Sequence, residues 1–246
     1  MKSILVCGKT LPEAYHKALL ALDEHGVIIP CPDYETERKD ITMTLFIEEA
    51  LCEPMISRMF IGDPYSLEQY KQEMLYGILD FEVARGNWEY TYHQRMEKQI
   101  PWVIEELRRN PHTSRAVIVI RSESDQSTTS PACLQHIQYF IRDGKLDCKI
   151  LFRSNDAAEA TFMNAFALIM LQKDIADKLG LKVGSYEHRA NSFHAYAKDF
   201  DMLNGYVNRI QTGGDLTFDY VGDWDKQMDE EKLRIAAMVK EHKERE

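Results

Sequence analysis

A small set of side chains in the second half of the sequence has the chemistry needed to act on a bound anion. Cys133 follows a strand-breaking Ser-Pro-Ala segment, and a cysteine thiolate is a strong nucleophile. Arg153 and Ser154 end a strand pattern, and an arginine can bind a phosphate through two hydrogen bonds. Asn164 lies in an apolar helix pattern, where a buried amide costs about 1–3 kcal/mol unless it is paired. The remaining members of the set are Asp156, His194 and Tyr196.

Each of these residues alone has an ordinary structural explanation. A single cysteine is more often a small buried hydrophobic residue than a nucleophile. An arginine at a strand end usually forms a surface ion pair, and a buried asparagine often bonds to a neighbouring loop. The combination of residue types and their order along the chain is what indicates a site.

This order resembles the core of the thymidylate synthase family. The resemblance is carried by the run SPACLQHIQYFIRDGKLDCKILFRSND, by Phe162-Met163-Asn164 and by SFHAY. The spacing from Cys133 to Tyr196 matches the family without a gap, and Cys148 matches its second hairpin cysteine. Upstream, the run QIPWVIEELRRNPHTSRAVIV is similar to the family's helix, Asn-Pro turn and Ser-Arg-Arg strand.

The resemblance implies a reaction at C5 of a pyrimidine nucleotide. Cys133 would add to C6 of the ring, so that C5 gains enolate character and attacks a one-carbon electrophile. Nearby arginines would favour its thiolate. Asn164 would bond both O4 and N3–H of uracil. The other implied contacts are Arg153 and Ser154 with the 5′-phosphate, His194 and Tyr196 with the sugar 3′-hydroxyl, and Asp156 with the ring and the folate.

Four residues outside this core match family positions less directly. Arg38, in ETERKDIT, falls where the family has an early phosphate arginine, but a solvated loop charge explains it equally well. Arg115 matches an arginine that family members donate to the partner subunit's site, which implies a homodimer through the sheet face. Glu73 is the candidate for a glutamate that moves protons at O4, with an exposed helix carboxylate as the alternative. Tyr92 would act in proton transfer at C5.

Several positions depart from the family pattern, mostly on the folate side. Leu134 stands where the family commonly has histidine, Phe152 replaces a glutamine, and Ala116 replaces the second arginine of the pair. The last residues, KEHKERE, form a charged run where family synthases have a short apolar tail that closes over the folate. Nearly all of the residues that the family uses to bind the nucleotide have a counterpart in this sequence.

Three functions are therefore open. The leading hypothesis is conversion of dUMP to dTMP, with 5,10-methylenetetrahydrofolate as the co-substrate that donates carbon and hydride, and without a metal. The alternative is a dUMP, dCMP or CMP 5-hydroxymethylase, in which water captures the methylene group. The third is a catalytically silent nucleotide-binding homodimer. Asn164 favours uracil, because cytosine-specific family members tend to carry Asp there, although an amide can flip.

Composition limits the class of protein. The 246 residues carry a net charge of -10, which argues against a general nucleic-acid or membrane-surface binder. A few converging arginines can still bind a phosphorylated small molecule. No apolar run approaches the roughly 18 residues of a membrane span. The five cysteines lack Cys-x-x-Cys spacing and fit reduced thiols, so we expect a cytoplasmic protein.

The elements that must position these residues predict one α+β domain over residues 1–246, with a single mixed sheet and helices packed on it. Asp143-Gly144 predicts a two-residue hairpin between strands at 135–142 and 145–153. The apolar pattern at 157–178 predicts a buried central helix.

Two further helices are predicted from capping and charge. Ser66 and Gln69 have the spacing of a capping box and predict a helix that runs to about Ala84. The segment 225–246 predicts a charged surface helix, because its apolar residues are few and widely spaced.

Overall fold

A computed structural model gives the structure of residues 2–244. Its strands are β1 (Ser3–Gly8), β2 (Val27–Cys31), β3 (Thr36–Ile47), β4 (Ile56–Ser57), β5 (Val117–Val119), β6 (Leu134–Arg142), β7 (Lys145–Phe152), β8 (Asn155–Asp156), β9 (Lys182–Tyr196) and β10 (Thr217–Phe218). Its helices are α1 (Leu11–His25), α2 (Pro64–Tyr76), α3 (Phe81–Ala84), α4 (Tyr92–Met96), α5 (Ile100–Arg109), α6 (Thr161–Leu179), α7 (Phe200–Thr212) and α8 (Asp225–Glu244).

One mixed sheet of eight strands organises the chain. The strand order is β1-β3-β9-β7-β6-β5, with β2 added beside β3 and β8 beside β9. The β1–β3, β7–β9 and β8–β9 pairs are parallel, and the other pairs are antiparallel. The predicted α+β class with a mixed sheet is confirmed. A separate two-stranded ribbon of β4 and β10 was not predicted as such.

The two faces of the sheet differ sharply in burial. One row of side chains, which are neighbours across the strands, faces the helices. All but the first are buried, in the order Val6, Leu45, His188, Ile150, Ile137 and Ile118. The rows on either side point to the opposite face and are exposed or half-buried: Leu5, Thr44, Arg189, Leu151, His136 and Val119, then Cys7, Phe46, Glu187, Lys149, Gln138 and Val117. Within residues 2–244, no element covers these outer rows.

Helix α6 is the buried central helix that the sequence predicts. It begins at Thr161 and not at 157, because the preceding residues form a turn that is held by Asp156. Its one buried glutamine, Gln172, donates through Nε2 to the carbonyl oxygens of Leu146 and Ser185, at 2.7 and 3.0 Å. These carbonyls flank a register shift between β7 and β9, where the regular ladder is interrupted. Gln172 therefore supplies hydrogen bonds that the irregular strand pair lacks.

The start and end of α2 differ from the prediction. The capping box is formed by Asp63 and Ser66, whose side chains each bond to the other's backbone N–H, and Ser66 is inside the helix. Pro64 occupies the first turn, where its missing N–H costs nothing. The helix ends at Tyr76 and is capped by Gly77, which adopts a left-handed conformation with φ of 60°. The residues up to Ala84 form the separate helix α3.

The predicted C-terminal helix is present over Asp225–Glu244, and residues 245 and 246 lie outside the described part. It lies on the surface but is anchored by Met228 and Ile235, both fully buried. Its last turn is held by Arg85, whose guanidinium donates to the carbonyl oxygens of His242 and Lys243. None of the helices in residues 2–244 is long and apolar enough to cross a membrane.

We predict that Gln172→Leu lowers the free energy of unfolding by about 2 kcal/mol, because two buried carbonyls lose their donor. Urea denaturation followed by circular dichroism measures this loss. Gln211→Leu, at an exposed position of α7, is the matched control and should change stability by less than about 0.5 kcal/mol. Equal effects of the two substitutions would contradict the role given to Gln172.

Candidate active site

Nine of the eleven residues proposed from the sequence line one cavity of about 800 Å³. They are Arg38, Tyr92, Cys133, Arg153, Ser154, Asp156, Asn164, His194 and Tyr196. Glu73 lines a neighbouring cavity of about 220 Å³, which shares Tyr70 and Tyr92 with the first. Arg115 lines neither cavity and lies exposed before β5. We call the larger space the Cys133 cavity and the smaller one the aromatic cavity.

The β6–β7 hairpin brings Cys133 next to Arg153. Asp143 and Gly144 both have positive φ, 49° and 71°, as the predicted two-residue turn requires. This turn pairs Leu134 with Phe152, so the residues just outside the ladder become neighbours. The backbone N–H of Arg153 donates to the carbonyl of Cys133 at 2.8 Å. A local turn thus fixes the contact between Cys133 and Arg153.

Arg153 also holds the loop that carries the thiol. Its Nε and Nη2 donate to the carbonyl oxygens of Ala132 and Pro131, at 3.1 and 2.7 Å. Burial raises the pKa of Cys133 above its ordinary value, and the guanidinium of Arg153 lowers it by a smaller amount. Arg153 therefore lowers the pKa of the thiol, as the sequence predicts, but burial raises that pKa by more.

Asn164 lies in the first turn of α6 and is nearly buried, with 7% exposed. The hydroxyl of Tyr70, from α2, donates to its Oδ1. The amide keeps two N–H donors and one acceptor site for a ligand. Tyr70 was not identified from the sequence, because nothing in the α2 pattern distinguishes it from a core tyrosine.

His194 and Arg38 are brought together by the pairing of β3 with β9. The register places Asp40 opposite His194 and Arg38 opposite Tyr196. Arg38 forms an ion pair with the buried Asp40, with Nε 2.9 Å from Oδ2, so the alternative of a solvated loop charge is wrong. His194 Nδ1 lies 3.3 Å from the carbonyl oxygen of Ser192, which can only accept a hydrogen bond. Burial lowers the pKa of His194 and favours the neutral ring.

Asp156 is oriented by the turn that precedes α6. Its Oδ1 accepts from the backbone N–H groups of Ala158 and Glu159, both at 2.9 Å. Burial raises the pKa of this carboxyl, although the two hydrogen bonds act in the opposite direction. The neighbouring Asn155 is fixed by His188 Nε2 at 2.8 Å and by Thr161 Oγ1 at 3.0 Å. The segment between β7 and α6 is therefore held on both sides of Asp156.

The aromatic cavity lies beside the Cys133 cavity and contains the two candidate proton-transfer groups. Glu73 is half-buried and its Oε1 accepts from Gln69 at 2.8 Å, so it is not an exposed helix carboxylate. Burial raises the pKa values of Glu73 and Tyr92. The hydroxyl of Tyr92 accepts from the backbone N–H of Leu134 at 3.3 Å, which places it one residue from Cys133. The other lining residues are Tyr70, Met74, Leu79, Asp80, Trp88, Tyr90 and Thr91.

A third cavity, of about 570 Å³, continues from the aromatic cavity through Leu79 and Trp88. Its far wall is formed by Met238 and His242 from the end of α8. His242, which belongs to the charged run that departs from the family pattern, is therefore part of a cavity wall. Helix α8 was predicted as a surface helix, and its contribution to this wall was missed.

The family model for thymidylate synthase matches residues 62–228, more than half of the chain. The chain belongs to the thymidylate synthase family. A protein of Methanocaldococcus jannaschii named "Putative thymidylate synthase" is 30% identical over 216 residues, covering 82% of this chain and 96% of that protein. A thymidylate synthase of Bacillus licheniformis is 27% identical over 152 residues, covering 61% of this chain and 53% of that protein.

The fold agrees with this membership. The solved structure of thermostable thymidylate synthase A from Bacillus subtilis matches 81% of this chain and 84% of its own, with a TM-score of 0.65 and 14% identity. Two departures from the thymidylate synthase pattern, Leu134 and Phe152, are fully buried and do not line the Cys133 cavity. Phe152 stacks on His188 with ring centroids 4.9 Å apart. These two substitutions are therefore changes within the core.

We predict that Cys133 is alkylated slowly by iodoacetamide near neutral pH and that its rate inflects above about 8.5, the ordinary thiol pKa. Arg153→Gln should move the inflection to still higher pH, because the guanidinium lowers the pKa. Peptide mass spectrometry over a pH series measures the rate at Cys133, with the exposed Cys7 as an internal reference.

Arg142→Gln, on the exposed hairpin turn, is the matched control and should leave the inflection unchanged. An inflection below about 7 in the unmodified protein would show that the thiolate is favoured without a ligand and would contradict the prediction.

Proposed function

We propose that this protein transfers a one-carbon unit to C5 of dUMP and reduces it, giving dTMP. The observation that carries the proposal is the presence of Cys133, Asn164, His194 and Arg153 in one cavity. These four residues come from separate parts of the chain and offer a nucleophile, an amide, an acceptor and a cation. If all four residues served only to stabilise the core, they would not need to border the same cavity.

The proposed nucleotide contacts follow from the hydrogen-bond donors and acceptors that line the Cys133 cavity. Asn164 would bond O4 and N3–H of uracil, and the acidic Asp156 would contact the ring and the second substrate. Arg38, Arg153 and Ser154 would bind the 5′-phosphate. Tyr196 would join His194 at the 3′-hydroxyl.

The chemistry assigned to the chain begins with Cys133. Its sulfur would form a bond to C6, and the electron pair of the C5–C6 double bond would move toward O4 through C5. C5 would then bond to the one-carbon unit and lose its proton to a base network that includes Tyr92 and water ordered by Glu73. The electron pair left at C5 by that proton would break the bond between the methylene carbon and the folate nitrogen. Hydride from the folate would then add to the exocyclic methylene, and the electron pair returned to C5 would expel the Cys133 thiolate from C6 and restore the C5–C6 double bond. Because burial raises the pKa of Cys133, its thiol proton would have to be removed before the sulfur bonds to C6.

The residues beside Cys133 fit 5,10-methylenetetrahydrofolate. Trp88, Tyr90 and Tyr92 border the aromatic cavity and offer flat surfaces to a fused ring. The folate supplies the methylene group and the hydride. The third cavity would hold its distal part, with Met238 and His242 of α8 as the outer wall. Water in this cavity could also react with the methylene group, which is the step that distinguishes a hydroxymethylase from a synthase.

We further propose that the protein is a homodimer through the uncovered sheet face. That face carries Leu5, Phe46, Leu151 and other apolar side chains without cover within residues 2–244. A groove of about 590 Å³ on it is bordered by Val119, Leu151 and Arg153. Because Arg153 borders both this groove and the Cys133 cavity, a second copy on this face reaches the phosphate side of the site. Arg115 of each copy would complete the partner's phosphate contacts.

A cytoplasmic location is part of the proposal. All five cysteines are free in the structure, which suits a reducing compartment.

We predict that incubation with dUMP and 5,10-methylenetetrahydrofolate yields a nucleotide heavier by the replacement of hydrogen with methyl. The reaction requires Cys133, so Cys133→Ser should abolish both the product and the release of tritium from C5-labelled dUMP. Mass spectrometry of the nucleotide, with dCMP and CMP assayed in parallel, measures the outcome. Cys52→Ser, outside the cavity, is the matched control and should retain full activity.

A hydroxymethyl product would replace the synthase proposal with the hydroxymethylase. A complete absence of tritium release with every nucleotide would identify a catalytically silent binding protein.

We predict that Arg115→Ala and Cys133→Ser are each nearly inactive alone and recover activity when mixed. In the mixed dimer, the protomer that retains Cys133 receives Arg115 from its partner, so random exchange gives about a quarter of full activity. The measurement is the rate of dTMP formation after mild denaturation and renaturation of an equimolar mixture. Failure to recover activity, with dimers confirmed by sedimentation, would refute donation of Arg115 across the interface.

A further inference from the structure

Asp40 is a fully buried carboxylate on β3 that no sequence pattern identifies as functional. It is 1% exposed and lies directly opposite His194 on β9. Its Oδ2 accepts the hydroxyl hydrogen of Ser192 and forms the ion pair with Arg38. Its Oδ1 has no hydrogen-bond partner among the described residues. A buried carboxylate with one unsatisfied oxygen is costly, so its retention requires an explanation.

We propose that Asp40 is a positioning residue that fixes the hydrogen-bonding state of His194 through Ser192 and the direction of Arg38 by the ion pair. This inference rests on the proposed function, because it assigns Asp40 to the recognition of the sugar and the phosphate of the nucleotide. Asp40 does not line the Cys133 cavity and therefore acts through its neighbours.

The direction of each hydrogen bond follows from the carboxylate. An ionised carboxylate can only accept, so Ser192 donates its single hydroxyl hydrogen to Asp40. The Ser192 oxygen is then free only to accept, and His194 Nδ1 lies 3.2 Å from it. Nδ1 therefore carries the proton of the neutral ring, in agreement with its contact to the Ser192 carbonyl. His194 Nε2 is left as a bare acceptor with no partner among the described residues.

This state of His194 sets the chemistry of the ligand group that it accepts. A bare Nε2 accepts a hydrogen bond from a hydroxyl and repels an anionic oxygen. The site therefore selects nucleoside 5′-monophosphates with a free 3′-hydroxyl over those with a 3′-phosphate. If Ser192 donated to His194 instead, Nε2 would carry the proton and the preference would reverse.

The ion pair directs Arg38 in the same way. With Nε 2.9 Å from Asp40 and Nη1 3.8 Å from the Cys31 sulfur, one edge of the guanidinium is held within the protein. Arg38 also lines the Cys133 cavity, so its guanidinium borders the space that the phosphate would occupy. One buried carboxylate thus sets the geometry of a sugar contact and a phosphate contact.

The first test compares two ligands by isothermal titration calorimetry, dUMP and 2′,3′-dideoxyuridine 5′-monophosphate, which lacks the 3′-hydroxyl. Ser192→Ala breaks the link between Asp40 and His194 and leaves the ion pair with Arg38. It should weaken dUMP binding about 5-fold and leave binding of the dideoxy ligand unchanged. Asp40→Ala removes both links and should weaken binding of both ligands, the dideoxy ligand by about 30-fold.

Ser192→Thr keeps the hydroxyl in a residue suited to a strand and should bind dUMP like the unmodified protein. Equal weakening of both ligands by Ser192→Ala would overturn the link to the sugar hydroxyl. Unchanged binding of the dideoxy ligand in a folded Asp40→Ala protein would overturn the link to Arg38.

The second test does not need a nucleotide. Nitrogen NMR of ¹⁵N-histidine-labelled protein, with His194 assigned by His194→Gln, distinguishes a protonated Nδ1 from a protonated Nε2. We expect a protonated Nδ1 in the unmodified protein and a mixture of both forms in Ser192→Ala. A protonated Nε2 in the unmodified protein overturns the inference even if dUMP binds. Absence of dUMP binding with a protonated Nδ1 that responds to Ser192→Ala supports the positioning role and contradicts the proposed function.

Discussion

The pairing of β9 with its neighbours is the constraint on which the rest of the site depends. This strand contacts β3 on one side and both β7 and β8 on the other. Its register places Arg38 beside Tyr196, and Asp40 and Asp156 on the two sides of His194. A slip of one residue would turn each of these side chains to the other face of the sheet. The proposed contacts to the phosphate, the sugar and the ring therefore all depend on the register of β9.

The second constraint is the β6–β7 hairpin, which brings Cys133 to the residues that β9 positions. Its Asp-Gly turn sets the contact between Cys133 and Arg153, and β7 then pairs with β9. A register shift lies near the cavity in both β3–β9 and β6–β7, between Ile41 and Met43 and between Leu134 and His136. Such irregularities bend a strand and change the direction of its side chains.

These two constraints explain how much could be predicted from the sequence. The hairpin was predictable because an Asp-Gly turn acts locally and brings Cys133 to Arg153 whatever the rest of the chain does. Asp40, Ser192 and Tyr70 were not, because their roles arise from contacts between distant segments. Asp40 follows Lys39 in a strand pattern where polar residues are common, and only the pairing with β9 reveals its burial. The end of α2 could not be predicted from its capping pattern, because it depends on the left-handed conformation that Gly77 adopts.

The electrostatics of the site differ from those of the whole chain. The net charge of -10 is spread over the surface, whereas Arg38 and Arg153 lie together at one cavity. Two cations are few for a phosphate with nearly two charges, which is why an arginine from a second copy matters to the proposed site. The same shortage bears on Cys133, because one nearby guanidinium does not offset the effect of burial on its pKa.

The departures from the thymidylate synthase pattern bear unequally on the choice between a methyl and a hydroxymethyl product. Leu134 and Phe152 are core residues that do not line the Cys133 cavity. The end of α8 is different, because Met238 and His242 border the cavity that adjoins the aromatic one. Hydride transfer requires that water be kept from the exocyclic methylene, and in the proposed reaction this wall would help to exclude it. The fate of the methylene group would then depend on how closely α8, held by Arg85, packs against the folate.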